Sequence, residues 1–208
     1  MDLGGFAAAT GRAGRVVGID SDAAALAEAR SDIRAGDPIG LVHGDIHSLG
    51  LPDAAVDRAH TDRVLQHVAD PVTVLDEIRR ILRPGGIVVF AEPDWDTLVI
   101  DHPDLDIACA YKRFVTDVVV RNSRIGRQLP RLAVGCGLHV ADVLPITTVF
   151  RDVTTADRVL GFARVSNRAV AAGYLTRDAA DRWLTHLANE PFFAAATLFV
   201  VVAVAATR

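Results

Sequence analysis

The chain has 208 residues, half of them hydrophobic and 23% charged, with a formal net charge of -4 at pH 7. That length buries a substantial core, and that balance excludes a disordered chain. A small excess of acid gives no electrostatic footing for nucleic acid, which wants a basic face.

In chain order, "RVVGID" (15–20) reads as a short strand that stops on an acid. The next stretch, "SDAAALAEARSDIRAG", reads as a helix: Ser21 or Asp22 can cap it, Ala, Leu and Glu favour it, and Gly36 ends it. "IGLVHGD" (39–45) and "VDRAHTD" (56–62) are further strands. Residues 71–86 form an amphipathic helix whose Val74, Leu75, Ile78, Ile81 and Leu82 share one face, with Pro84-Gly85-Gly86 as its stop. "IVVFAEP" (87–93) is a buried central strand, 103–120 a helix, 127–138 a short helix, and 139–150 a long strand whose proline suggests an edge or a bulge. Two helices follow, at about 155–172 and 176–189. The C-terminal run from Phe192 to Ala206 is 15 residues, short of the roughly 20 that span a bilayer, and its Val-rich end fits a buried strand. The N-terminus lacks the basic segment and apolar run of a signal peptide. Cys109 and Cys136 lie far apart and match no metal spacing, so we read them as free thiols. The expectation is a cytoplasmic α/β protein forming one domain over 1–208, with a mostly parallel sheet, helices on both faces and no metal.

Four pieces now stand in a recognisable order: an acid after "GRVVGI", "GD" at 44–45, "VLQHV" at 64–68 and "LRPGG" at 82–86. The chain resembles the class I S-adenosylmethionine-dependent methyltransferases of the small-molecule branch. The resemblance implies a Rossmann-like sheet of order 3-2-1-4-5-7-6 with an antiparallel last strand. In such enzymes a strand carrying "DxGxGxG" precedes a helix and then the equivalent of "GRVVGID". Taking Gly4-Gly5 as that loop leaves too few residues for a crossover helix. The spacing puts Met1 at the start of the first helix, and the first strand and glycine-rich loop outside this chain, by truncation or naturally. An unfilled slot leaves two strand edges unpaired. Either 15–20 closes onto 56–62, or the chain associates; we expect a homodimer.

The resemblance also assigns residues. Asp20, followed by Ser21, accepts hydrogen bonds from the cofactor's ribose diol, or is a plain helix cap. Asp45 binds the adenine amino group with Ile46 against the ring, or is a turn aspartate. Asp62 and Arg63 face the methionine part or the substrate. The candidate bases are His60, His67, Asp94 and His102, with His67 and Asp94 preferred; the alternatives are that His67 orders its loop and that His60 is packed. Trp95 is a wall for an apolar substrate. Arg127, in "RNSRIGRQLP", belongs to a substrate loop or to a charged connector. The implied function is methyl transfer from S-adenosylmethionine to a small molecule, with no nucleic-acid or membrane partner, and with activity impaired by the absent glycine motif. The alternative is a non-catalytic binding or assembly module that keeps the fold.

Overall fold

The computed structural model describes residues 3–11, 13–34, 36–189 and 191–207. The placement of Met1 lies outside them. Leu3–Thr10 forms α1, and Gly4 and Gly5 are helical rather than a loop. Then come β1 (Val16–Asp20), α2 (Ala23–Asp32), β2 (Ile39–His43), β3 (Val56–Asp62) and α3 (Pro71–Ile81). Next are β4 (Leu82–Ile100), α4 (Leu105–Phe114) running into a π-helical turn at Val115–Val119, α5 (Ile125–Gly135) and β5 (Leu138–Phe150). The chain closes with α6 (Val153–Leu160), α7 (Phe162–Ala171), α8 (Arg177–Leu187) and β6 (Ala194–Ala205).

Two sheets result. β1 and β2 pair in parallel, with Val16 opposite Ile39 and Asp20 opposite His43. The other sheet has the order β3-β4-β6-β5, with β3 and β4 parallel and β6 antiparallel to both its neighbours. Within each sheet the neighbours are the expected ones, including the antiparallel last strand. Direct pairing of 15–20 with 56–62 does not form: among the described residues β1 pairs only with β2 and β3 only with β4. The reason is visible in α1. Its Leu3 lies against Gly18 of β1, while the ring of Phe6 lies 5.2 Å from that of His60 on β3. Closure would expel the helix.

Two hydrophobic clusters hold the larger sheet. The first packs α3 and α5 on one face through Leu75, Ile78, Phe90, Leu129 and Val201. The second is aromatic. Tyr111, Phe114, Phe162 and Trp183 gather α4, α7 and α8 around the far end of β4. This cap explains a difference from the sequence reading. β4 runs on past residue 93 to Ile100, with a register shift between Asp94 and Val99, because the ends of β4 and β6 continue as a ribbon under the cap. The helix expected at 155–172 is two helices, broken at Gly161, whose left-handed backbone (φ 61°) ends α6 and starts α7. β5 is an edge strand, as its proline suggested. No helix among the described residues is long and apolar enough to cross a membrane.

Candidate active site at the strand ends

Parallel strands point their carboxyl ends the same way, and ligands of open α/β sheets bind beyond those ends. Contacts between the two sheets show that they share one rim. The ring of His47, just after β2, accepts the N–H of Asp70 at 3.4 Å, Leu49 N–H donates to Glu77 of α3 at 2.7 Å, and Ile46 packs against the core of the larger sheet.

The acids expected to hold the cofactor stand along this rim. Asp20 ends β1, is exposed, and takes one N–H from Asp22 at 2.8 Å. Asp22, not Asp20, caps α2, through Ala24 N–H. The carbonyl of Ser21 receives the His43 ring at 3.0 Å. Asp45 is exposed and also structures its own turn: its carboxylate takes the backbone N–H of His47 at 2.9 Å and the His47 ring at 2.6 Å. Those bonds, the backbone one foremost, hold the Asp45 carboxyl below the ordinary range. Asp62 and Arg63 pair with each other at 3.0 Å. Arg63 adopts a left-handed backbone (φ 56°), a conformation that typically costs a non-glycine residue about 1–3 kcal/mol and persists only when neighbours enforce it.

The enforcing neighbours lie beneath. Glu92, fully buried on β4, accepts the N–H groups of Val64 (2.8 Å), Leu65 (2.7 Å) and Gln66 (3.2 Å). Burial pushes this carboxyl up to about 7; the three donors oppose the shift without cancelling it, and the charge of Asp62 adds to it. From the other side, the Asn122 side chain donates to the carbonyls of Leu65 and Val68, each at 2.8 Å, and its N–H to that of Gln66 at 3.0 Å. Gln66 accepts the Trp95 indole N–H at 2.8 Å. None of Glu92, Gln66 and Asn122 was singled out from the sequence. The available signal was an acid inside the apolar run "IVVFAEP", since an unpaired buried carboxylate is too costly to occur by accident.

The remaining candidates separate. His67 is exposed on the 63–68 turn, and its N–H closes that turn onto Val64 O. Asp94 is fully buried, and both its oxygens are held by Arg127 of α5. The same pairing, with a further contact to Asp96 at 3.4 Å, engages Arg127, whose side chain stays half exposed. α5 can approach this closely because Gly126 lies over the β4 backbone; a Cβ there would come 2.8 Å from Glu92 O. Trp95 is half-buried and also packs against the cap core. His60 is exposed against Phe6 rather than packed inside. His102 is buried under Trp183 and His186 in the cap, away from the rim. Both cysteines are free, and no cluster of His, Cys, Asp or Glu among the described residues could hold a metal ion. An open groove of about 550 Å³ lies on the cap between α4 and α8, lined by Asp104, Cys109, Arg113, Tyr174 and Arg182; it is not part of the rim.

Residues 3–90 match the methyltransferase-domain family. The chain is 56% identical over 202 residues to an uncharacterised 37.1 kDa protein of transposon TN4556 from Streptomyces fradiae, covering 97% of this chain and 59% of that protein. It thus spans about three fifths of that relative's length. Over 85 residues it is 34% identical to the malonyl-[acyl-carrier protein] O-methyltransferase of Xylella fastidiosa, covering 41% of this chain and 29% of that one. The fold resembles that of a candidate methyltransferase from Bacillus halodurans with a TM-score of 0.66, at 14% identity, covering 93% of this chain and 84% of that one. The match over residues 3–90, the strand order and the rim of acids together support the resemblance to the class I S-adenosylmethionine-dependent methyltransferases.

Proposed function

We propose that the chain binds S-adenosylmethionine along the shared rim and transfers its methyl group to a small molecule. The observation that carries the reading is the row of exposed or half-exposed acids, Asp20, Asp45 and Asp62, each at or just beyond the carboxyl end of a parallel strand. An exposed carboxylate suits a vicinal diol, so Asp20 holds the ribose, with Ser21 beside it. Asp45 and Ile46 hold the adenine, and Asp62 and Arg63 face the methionine end. Bound S-adenosylmethionine supplies a methyl group already activated by its sulfonium. What remains for the protein is alignment and, where the acceptor carries a proton, its removal. His67 is the exposed titratable side chain on the turn for that task. Trp95 offers an apolar wall. Calorimetry with S-adenosylhomocysteine tests the site, and release of S-adenosylhomocysteine from S-adenosylmethionine in the presence of small acceptors tests turnover. Binding without turnover would favour a non-catalytic module, a reading that the mutual pairing of Asp94 and Arg127 supports.

The assembly reading is a homodimer in the cytoplasm. It rests on the edges of β1 and β3 that are unpaired among the described residues, and on edge strand β5, which exposes Leu144, Ile146 and Val149. Each backbone group buried without a partner costs about 1–3 kcal/mol, which favours covering such edges. Light scattering giving twice 22.2 kDa is the expected result, and a single-chain mass overturns it.

A further inference from the structure

Three successive amides, Val64, Leu65 and Gln66, converge on one buried carboxylate, and three carbonyls of the same turn, those of Leu65, Gln66 and Val68, converge on Asn122. Beside its internal bonds from His67 N–H to Val64 O and from the Gln66 side-chain amide to Arg63 O, the turn is held by two side chains on opposite sides. It joins β3 to α3 and carries Arg63 and His67, both exposed at the rim. Its Gln66 also fixes the Trp95 indole, and Trp95 reaches the cap core. A buried acid is an expensive way to satisfy three amides where apolar packing would serve stability alone.

We propose that Glu92, together with Asn122, is a positioning residue that holds the 63–68 turn as a rigid wall of the binding site, setting Arg63, His67 and Trp95 for the ligand. The inference rests on the reading of the rim as a cofactor site. An ionised carboxylate accepts all three amides, whereas a protonated one gives up acceptor capacity and loosens the turn. The charged groups around it are Asp62 on β3, paired with Arg63, and the Asp94–Arg127 pair between β4 and α5. His67 lies on the same turn and needs its own control.

The experiment uses the full chain and S-adenosylhomocysteine as probe, with calorimetry from pH 6 to pH 8 and amide hydrogen exchange at residues 64–66. In the wild type, affinity falls by about fivefold or more from pH 8 to pH 6 as Glu92 takes its proton. In Glu92→Gln the affinity is lower by at least that factor at pH 8, the pH dependence is lost, and the three amides exchange about tenfold faster or more. His67→Asn keeps the dependence. Asn122→Ala loosens the same amides from the other side, and serves if Glu92→Gln does not fold. A folded Glu92→Gln or Asn122→Ala with wild-type affinity overturns the proposal, as does a wild-type pH dependence in Glu92→Gln. If the wild type binds no S-adenosylhomocysteine at millimolar concentration, the reading of the rim fails instead. Exchange then decides the hold on the turn, and unchanged rates in the variants overturn that as well.

Discussion

The two sheets of this protein are built on different terms. In the four-stranded sheet, Val88, Phe90, Val201 and Ala203 are fully buried and helices seal one face. In the two-stranded sheet, Gly18 is the one buried strand residue, Val17 and Val42 are exposed, and α2 contributes only Leu26 to the interior. A lone two-stranded unit is marginal by itself. Yet that sheet carries Asp20 and Asp45, the acids assigned to the ribose and adenine. Stability is concentrated in one sheet, while the proposed ribose and adenine contacts belong to the other, so under that proposal the binding half is the one that opens first.

The largest test of this contrast is in the cores. Phe90→Ala should cost about 3–5 kcal/mol, whereas Leu26→Ala, where thin packing can collapse, should cost less than about 2 kcal/mol, both read from chemical denaturation. Equal costs would show that the two sheets share one cooperative core. Arg127→Met leaves Asp94 buried without its partner and should cost about 3 kcal/mol, less than a fully buried pair would suggest because Arg127 is itself half exposed. A change within about 0.5 kcal/mol would mean that Asp94 finds water instead.

Glu92 sharpens the contrast through pH. Its carboxyl rises from 4.5 to about 7 on folding, so the folded state holds a proton that the unfolded chain has lost. The stability this contributes is present below about pH 4.5 and lost as pH rises through 7, on the order of 2–3 kcal/mol in all. Affinity for ligand should move the opposite way. Melting followed from pH 5 to pH 8 checks the sign, and Glu92→Gln should flatten this component. The smallest effect is expected in the cap. Ser166 buries a hydroxyl with no hydrogen-bond partner, so Ser166→Ala should be neutral or stabilising by up to about 1 kcal/mol, with a slightly raised melting temperature as the readout.

Much of the fold was legible. The alternation of elements, the face of α3 built from Val74, Leu75, Ile78 and Ile81, and the final strand all follow from periodicity and capping. The extension of β4 to Ile100 was not, because Asp94 and Asp96 interrupt its apolar pattern, and their partners Arg127 and Arg124 come from a distant helix and turn. The break at Gly161 was missed because one glycine in a helical run usually marks only a weak spot. At the rim, the positions of Asp20, Asp45 and Asp62 at or just past strand ends were legible from the strand boundaries. Glu92 and Asn122 were not: their roles are fixed by backbone groups 26–28 and 54–57 residues away, and no local spacing encodes such contacts. The pairing of Arg127 was hidden for the same reason, its partner Asp94 lying 33 residues back.

The central claim is that the exposed carboxylate ending β1 holds the ribose of S-adenosylmethionine. Calorimetric titration of the wild type and Asp20→Ala with S-adenosylhomocysteine tests it most directly. Removing two charge-assisted hydrogen bonds, each worth roughly 1.5–3 kcal/mol, predicts binding in the wild type and a loss of about tenfold or more in the variant, with the melt lowered only slightly, since the variant loses the exposed bond from Asp22 N–H while Asp22 still caps α2. Equal affinity in both proteins, or no binding by the wild type at millimolar ligand, would contradict the account.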